Sequence, residues 1–280
     1  ISGVNVRFVG DRYPMYVSAY YHIPKKSMPH MGISRYMRLA PVSLQMIQNA
    51  QLVFYYEEEC IAEIVRKICA DWSIEFVPVK IPLKNLPQRQ AAIAISKNAK
   101  ESSLPSLVGG IKEKGRGHFR GMVHGEDRQE YADNLSVWLS KLDLVQASIG
   151  YVKTDSRRIA WIDFGISKKN YTRPNWRFQK AESMRNANGL LHYGSEMRFH
   201  NEKLPLNASF LSGKPEIWKT ALTEFHTHLE KATSDGYPHD EETILSAVVR
   251  QNPELFECIG QPYRGRIGKA QYYFNRVFRP

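Results

Sequence analysis

A short apolar run that ends in a carboxylate constrains this chain more than any other feature. Residues 158–166 read RIAWIDFGI, with β-branched and aromatic side chains up to Ile162, then Asp163, and Gly165 two positions on. Such a run is how a strand buried on both faces of a parallel sheet looks in sequence. It would deliver one carboxylate to the carboxyl edge of the sheet, where open α/β sheets bind their ligands. An aspartate there suits a divalent cation that neutralises phosphates. Aspartate close before glycine is also ordinary turn chemistry, so capping of a turn or of the next helix is the competing reading of Asp163.

The surrounding pattern favours an α/β fold. Residues 4–9, 15–21, 51–56 and 74–79 are rich in Val, Tyr, Phe and Ile and are predicted strands. Between the last two, Glu57-Glu58-Glu59 suits the positive end of a helix, and Ile61, Ile64, Val65 and Ile68 follow at helical spacing. This strand–helix–strand unit predicts a parallel pairing. A short helix is expected over residues 91–100. A long one is expected from Asp127, with Tyr131, Leu135, Trp138, Leu139, Leu142 and Val145 on one face. Lys141 lies beside that stripe, as a phosphate contact or as a lysine that snorkels to solvent. Further strands are predicted over residues 190–199 and 207–211, and a helix from Glu216 with Ile217, Trp218, Leu222, Phe225 and Leu229 on one face. The late run Pro238-His239-Asp240-Glu241-Glu242 opens another helix. Its acids serve either as caps or as acceptor-binding or catalytic carboxylates.

The 39 basic and 28 acidic residues give a formal charge of +11, which points to an anionic partner. The bases cluster: Lys112, Lys114, Arg116 and Arg120 in a glycine-rich stretch, Lys168 to Lys180 interleaved with aromatics, and Arg264, Arg266, Lys269, Arg276 and Arg279 near the end. The glycine-rich stretch lacks the preceding strand and the further glycine of a dinucleotide motif. It is a mobile basic substrate loop or a plain surface loop. Cys60, Cys69 and Cys258 form no CxxC and match no zinc spacing. No apolar run approaches the roughly 20 residues of a membrane span, and the opening residues lack the pattern of a signal peptide. A reduced, cytoplasmic protein is expected.

Several segments together resemble a known family. Val17-Ser18-Ala19-Tyr20-Tyr21, Leu52-Val53-Phe54-Tyr55-Tyr56, Ser140-Lys141, Trp161-Ile162-Asp163-Phe164-Gly165, Asp240-Glu241-Glu242 and Pro253-Glu254-Leu255-Phe256 are similar to segments of the HtrL/YibB family of bacterial, GT-A-type glycosyltransferase-like proteins. The resemblance implies one GT-A-like, Rossmann-like α/β domain over residues 1–280, with a mixed, mostly parallel central sheet flanked by helices. Residues 1–165 would be its nucleotide-binding half, and residues 166–280 its acceptor half and basic C-terminal tail. It further implies a nucleotide-sugar donor, a UDP-sugar or similar, and Mn2+ or Mg2+ held by Asp163. Lys141, Asp163 and Gly165 would line the donor site, with Asp240 and Glu241 as sugar-side or catalytic residues. The chain departs from the family pattern in lacking the usual D-x-D pair, since Gly165 stands where the second aspartate would be. No histidine follows His239, so a C-terminal histidine ligand is also missing. Arg264, Arg266 and Lys269 are therefore expected to hold the diphosphate beside, or in place of, a metal.

Two other functions compete. The charge suits a transferase whose acceptor is a hydroxymethylated base in DNA rather than a saccharide, and it suits a nucleic-acid-binding protein with no catalysis. The Asp163-Phe164-Gly165 triplet does not make the chain a protein kinase, because no Gly-rich strand–loop, VAIK lysine or HRD segment accompanies it.

Overall fold

Six of the predicted strands join one seven-stranded sheet in the computed structural model, which describes residues 15–23, 33–100, 107–108, 111–112, 128–151, 158–168, 187–195, 197–199 and 202–260. The predicted strand over residues 4–9 lies outside the described residues. The sheet strands are β1 (Met15–Tyr20), β2 (Gln51–Tyr56), β3 (Glu75–Lys80), β4 (Ile159–Ile162), β5 (Leu190–Tyr193), β6 (Asn207–Gly213) and β7 (Phe256–Gly260). Their order across the sheet is β7-β5-β6-β4-β1-β2-β3. β1 pairs in parallel with β2 and β4, β2 with β3, and β5 with β7, while β6 runs antiparallel to both of its neighbours. Six strands therefore point the same way and β6 alone opposes them. The carboxyl ends of the six and the amino end of β6 meet at one edge.

The alternation of side chains divides the core into two layers. Val17, Val53, Tyr55, Ile159 and Trp161 face one side. There they pack under helices α3 (Arg89–Asn98), α4 (Arg128–Leu139), α5 (Lys141–Ser148), α6 (Pro215–Ala232) and α7 (Glu241–Gln251). Tyr16, Leu52, Phe54, Ala160 and Ile162 face the other side, under α1 (Ile33–Gln45) and α2 (Glu59–Asp71). β1 is buried along its whole length, as a central strand covered on both faces must be. Its one side-chain hydroxyl outside the tyrosines, Ser18 Oγ, is satisfied by donating to Ile162 O across the pair at 2.8 Å.

Three expectations change in detail. The buried face of α2 is Ile61, Ala62, Val65 and Cys69, while Ile64 is exposed; small side chains let the helix approach the sheet on a face slightly rotated from the isoleucine stripe. The single long helix expected from Asp127 is two helices, interrupted at Ser140, whose hydroxyl accepts the Gln88 N–H at 3.1 Å. The predicted stripe nonetheless stays inside, since Tyr131, Leu135, Leu139, Leu142 and Val145 are all fully buried. Residues 190–199 hold the short β5 and, separately, one arm of a small hairpin, Arg198–Phe199 with Glu202–Lys203. Among the described residues no helix is long and apolar enough to cross a membrane.

Candidate functional site

The carboxyl edge of the sheet gathers residues from four elements. β4 ends at Ile162, and Asp163 continues it just past the last ladder residue, its N–H donating to Ser209 O of β6 at 2.9 Å. Trp161, two positions earlier and so on the same face of the strand, donates its indole N–H to Asp163 Oδ1 at 3.0 Å. Lys141 opens α5 just after the Ser140 break, and its Nζ stands 2.9 Å from Asp163 Oδ1 and 5.6 Å from the centre of the Trp161 ring. Glu241, in the first turn of α7, brings Oε1 to 2.8 Å from the same Nζ. The Ala208 carbonyl, at the start of the reversed strand β6, completes the set at 3.3 Å.

Burial decides what this cluster can do. The Lys141 and Glu241 side chains are 3% and 6% exposed, whereas Asp163 is 24% exposed. Asp163 is thus the member of the triad presented to solvent, and the other two stand behind it. Burial pulls the Lys141 ammonium down, but the charges of Asp163 and Glu241 and their hydrogen bonds more than reverse this, so it is held above the ordinary lysine range. The lysine is not a surface side chain; it is buried as the counter-charge of two carboxylates.

The start of α7 is fixed from several sides. Asp240 is its N-cap and forms a capping box: Oδ1 accepts the Thr243 N–H at 3.1 Å, and Thr243 Oγ1 accepts the Asp240 N–H at 3.0 Å. Asp240 is fully buried in this role. Glu242 Oε1 accepts the Ala208 N–H at 3.0 Å. The Tyr131 hydroxyl, fully buried on α4, lies 3.0 Å from Pro238 O and 2.9 Å from His239 O, tying down the segment before the cap. His239 bridges Asp235 at 2.6 Å and Thr243 at 3.0 Å through its two ring nitrogens. Three acids at this helix end also meet the positive end of its dipole.

Gly165 has a steric reason. A Cβ there would lie 3.0 Å from Tyr36 Cε1 and 3.2 Å from Cδ1, because the Tyr36 ring of α1 packs over the turn after β4. The place of a second aspartate is filled by an aromatic ring. We expect Gly165→Asp to destabilise the fold by roughly 1–3 kcal/mol, seen as a lower urea midpoint, and a Tyr36→Ala background to recover part of the loss. An unchanged midpoint in the single variant would contradict this packing.

The structure therefore brings together Asp163, Lys141 and Glu241 of the residues expected from sequence, with Asp240 beside them as a cap and Gly165 beneath Tyr36. Arg264, Arg266 and Lys269 lie outside the described residues, as do most of the basic segments around residues 112–120 and 168–180. Glu242, one of the acids read from sequence at the start of α7, also belongs to the site, as do Trp161, Tyr36 and the Ala208 backbone, which sequence reasoning does not single out for it. The period-2 spacing of Trp161 and Asp163 is the one sequence signal that points to any of them. Among the described residues no three His, Cys, Asp or Glu side chains are placed to hold a metal ion, and the two carboxylates of the triad both converge on an ammonium.

A mixed, mostly parallel sheet with helices on both faces and one reversed strand, carrying a charged cluster at its carboxyl edge, places the chain in the GT-A-like, Rossmann-like class of α/β folds. The sequence matches no protein-family model and no curated protein. Among solved structures the chain is similar to mouse xyloside xylosyltransferase 1 in its apo form, with 11% identity, 88% of this chain and 84% of that chain covered, and a TM-score of 0.47. It is also similar to the glycosyltransferase GlyE of Streptococcus pneumoniae TIGR4, with 10% identity, 89% of this chain and 45% of that chain covered, and a TM-score of 0.43. Neither likeness carries a residue role to this chain.

Proposed function

We propose that this protein is a glycosyltransferase that moves a sugar from a nucleotide-sugar donor, a UDP-sugar or similar, to an acceptor hydroxyl. The observation that carries this reading is the position of Asp163: a partly exposed carboxylate at the carboxyl edge of the sheet, oriented by Trp161 and paired with a buried lysine. In this reading residues 1–165 form the nucleotide half, and residues 166–280 the acceptor half with its basic tail. Asp163 faces the donor, while Lys141 and Glu241 fix it from behind.

Glycosyl transfer breaks the bond between the anomeric carbon and the diphosphate as negative charge builds on the leaving group, and that charge must be met. The triad has one positive and two negative charges, so it cannot meet the charge alone. The run Arg264, Arg266 and Lys269 is proposed to do so through charge-assisted hydrogen bonds, with Mn2+ or Mg2+ bound along with the diphosphate as the alternative. The overall charge of +11 keeps DNA beside saccharides as a proposed acceptor.

Thermal unfolding with a panel of nucleoside diphosphates, with and without Mn2+, and with a short DNA duplex tests the reading. A ligand that binds only the folded protein raises its midpoint according to occupancy. One nucleotide is expected to stabilise the protein by several degrees more than the rest. Added stabilisation by the duplex, lost as salt rises, selects the DNA acceptor. Stabilisation by the duplex alone would replace the transferase with a binding protein, and no response to any nucleotide would overturn the proposed donor.

A further inference from the structure

Three oxygens surround the Lys141 Nζ: Asp163 Oδ1 at 2.9 Å, Glu241 Oε1 at 2.8 Å and Ala208 O at 3.3 Å. Two carboxylates and a backbone carbonyl are also the donor set that hard divalent cations select. The ammonium stands among these oxygens, and it is buried there. Position 165, two residues beyond Asp163, offers no second carboxylate, since a Cβ there would meet the Tyr36 ring.

We infer that Lys141 is the resident cation of this edge, and that a divalent ion enters between Asp163 and Glu241 only when the ammonium is removed. Charge supports the exclusion. With the lysine in place the three side chains sum to one negative charge; a second, doubly charged ion cannot share a pocket already filled by a cation, whereas in the lysine's absence a divalent ion would neutralise the two carboxylates. Glu241 also keeps Oε2 buried with no hydrogen-bond partner among the described residues, which leaves it an oxygen to offer to an incoming ion. Lys141 is thus a positioning residue that does with an ammonium what a metal ion would otherwise do for these carboxylates. The inference concerns the cation alone and does not depend on the transfer reaction.

The test uses nucleotide-free protein, so its failure is distinct from failure of the donor reading. The melting midpoint of the native protein is expected to be the same in EDTA and in millimolar MnCl2. Lys141→Met should melt lower in EDTA and regain at least about 3 °C with MnCl2, and the double variant Lys141→Met/Glu241→Gln should lose that response. A purely structural lysine would give the fall without the manganese-dependent recovery, and that result overturns the inference. So does a native protein that manganese stabilises through Asp163, as judged by loss of the effect in Asp163→Asn. If Lys141→Met does not fold in EDTA, refolding from urea reads the same outcome: recovery only with MnCl2 supports the inference, and no recovery in either condition overturns it.

Discussion

Asp163→Asn is expected to lower sugar transfer by roughly 10²–10³-fold while leaving the fold in place. Asparagine keeps the shape of the side chain and an oxygen that can accept from the Trp161 indole, and Lys141 retains Glu241 as a counter-charge. What disappears is the negative charge at the one exposed corner of the triad. Turnover of a radiolabelled nucleotide sugar, with circular dichroism as the check on folding, measures the effect. Asp143→Asn serves as the control, because Asp143 pairs with His226 and Gln88 away from the triad and its loss should leave transfer unchanged. Near-native turnover in Asp163→Asn would remove Asp163 from the site. Glu241→Ala is expected to abolish transfer as well, through loss of the support behind Asp163.

The largest effect on stability is expected from Lys141→Met. Removing one partner of a buried ionic cluster leaves uncompensated charge and costs about 3–5 kcal/mol, here with two carboxylates facing each other across a thioether. For a chain of this size that is a fall in melting midpoint on the order of 10 °C. The pH dependence follows from the direction of the lysine shift. Its folded value lies above the unfolded one, so its contribution is fully present below the ordinary lysine value and is lost only as pH rises through the folded value. The lysine's own share of the gap between native protein and variant should therefore stay constant up to roughly pH 9 and close only in strong alkali, while the two carboxylates left facing each other in the variant narrow the gap on the acid side as they take up protons. A gap that closes as pH rises from about 7 to about 9 would mean that the lysine is not charged in the folded state.

The fold is more legible in the sequence than the wiring of the site. The strands β1 to β4 are dense in Val, Tyr, Phe and Ile and are bounded by charged or turn residues, so composition and length suffice to find them. β7 escapes such reasoning because its sequence, FECIG, is short and carries Glu257 and Gly260; it is a strand through pairing with β5, which no local pattern encodes. Asp163 and Glu241 can be singled out as carboxylates at element ends. Their connection cannot, because Lys141 lies 100 positions from Glu241 in the chain. Helical spacing tells which face a lysine occupies, and on that basis Lys141 has two solvent-facing readings. It does not tell that two opposite charges wait inside the core. The Tyr36 ring over Gly165 is equally silent, since a glycine in sequence does not say what crowds it.

The reversal of β6 has a consequence for how the cluster can vary. Pairing between β5 and β6 is irregular between Asn207 and Leu211, and within that stretch Ala208 gives its N–H to Glu242 and its carbonyl to Lys141. Both contacts come from the main chain, so they persist whatever small side chain stands at position 208. Two charged residues from distant parts of the polypeptide, Lys141 and Glu242, are thereby indexed to the direction of a single strand. Substitution can change which ion sits there, but only a different chain path could remove the frame that holds it.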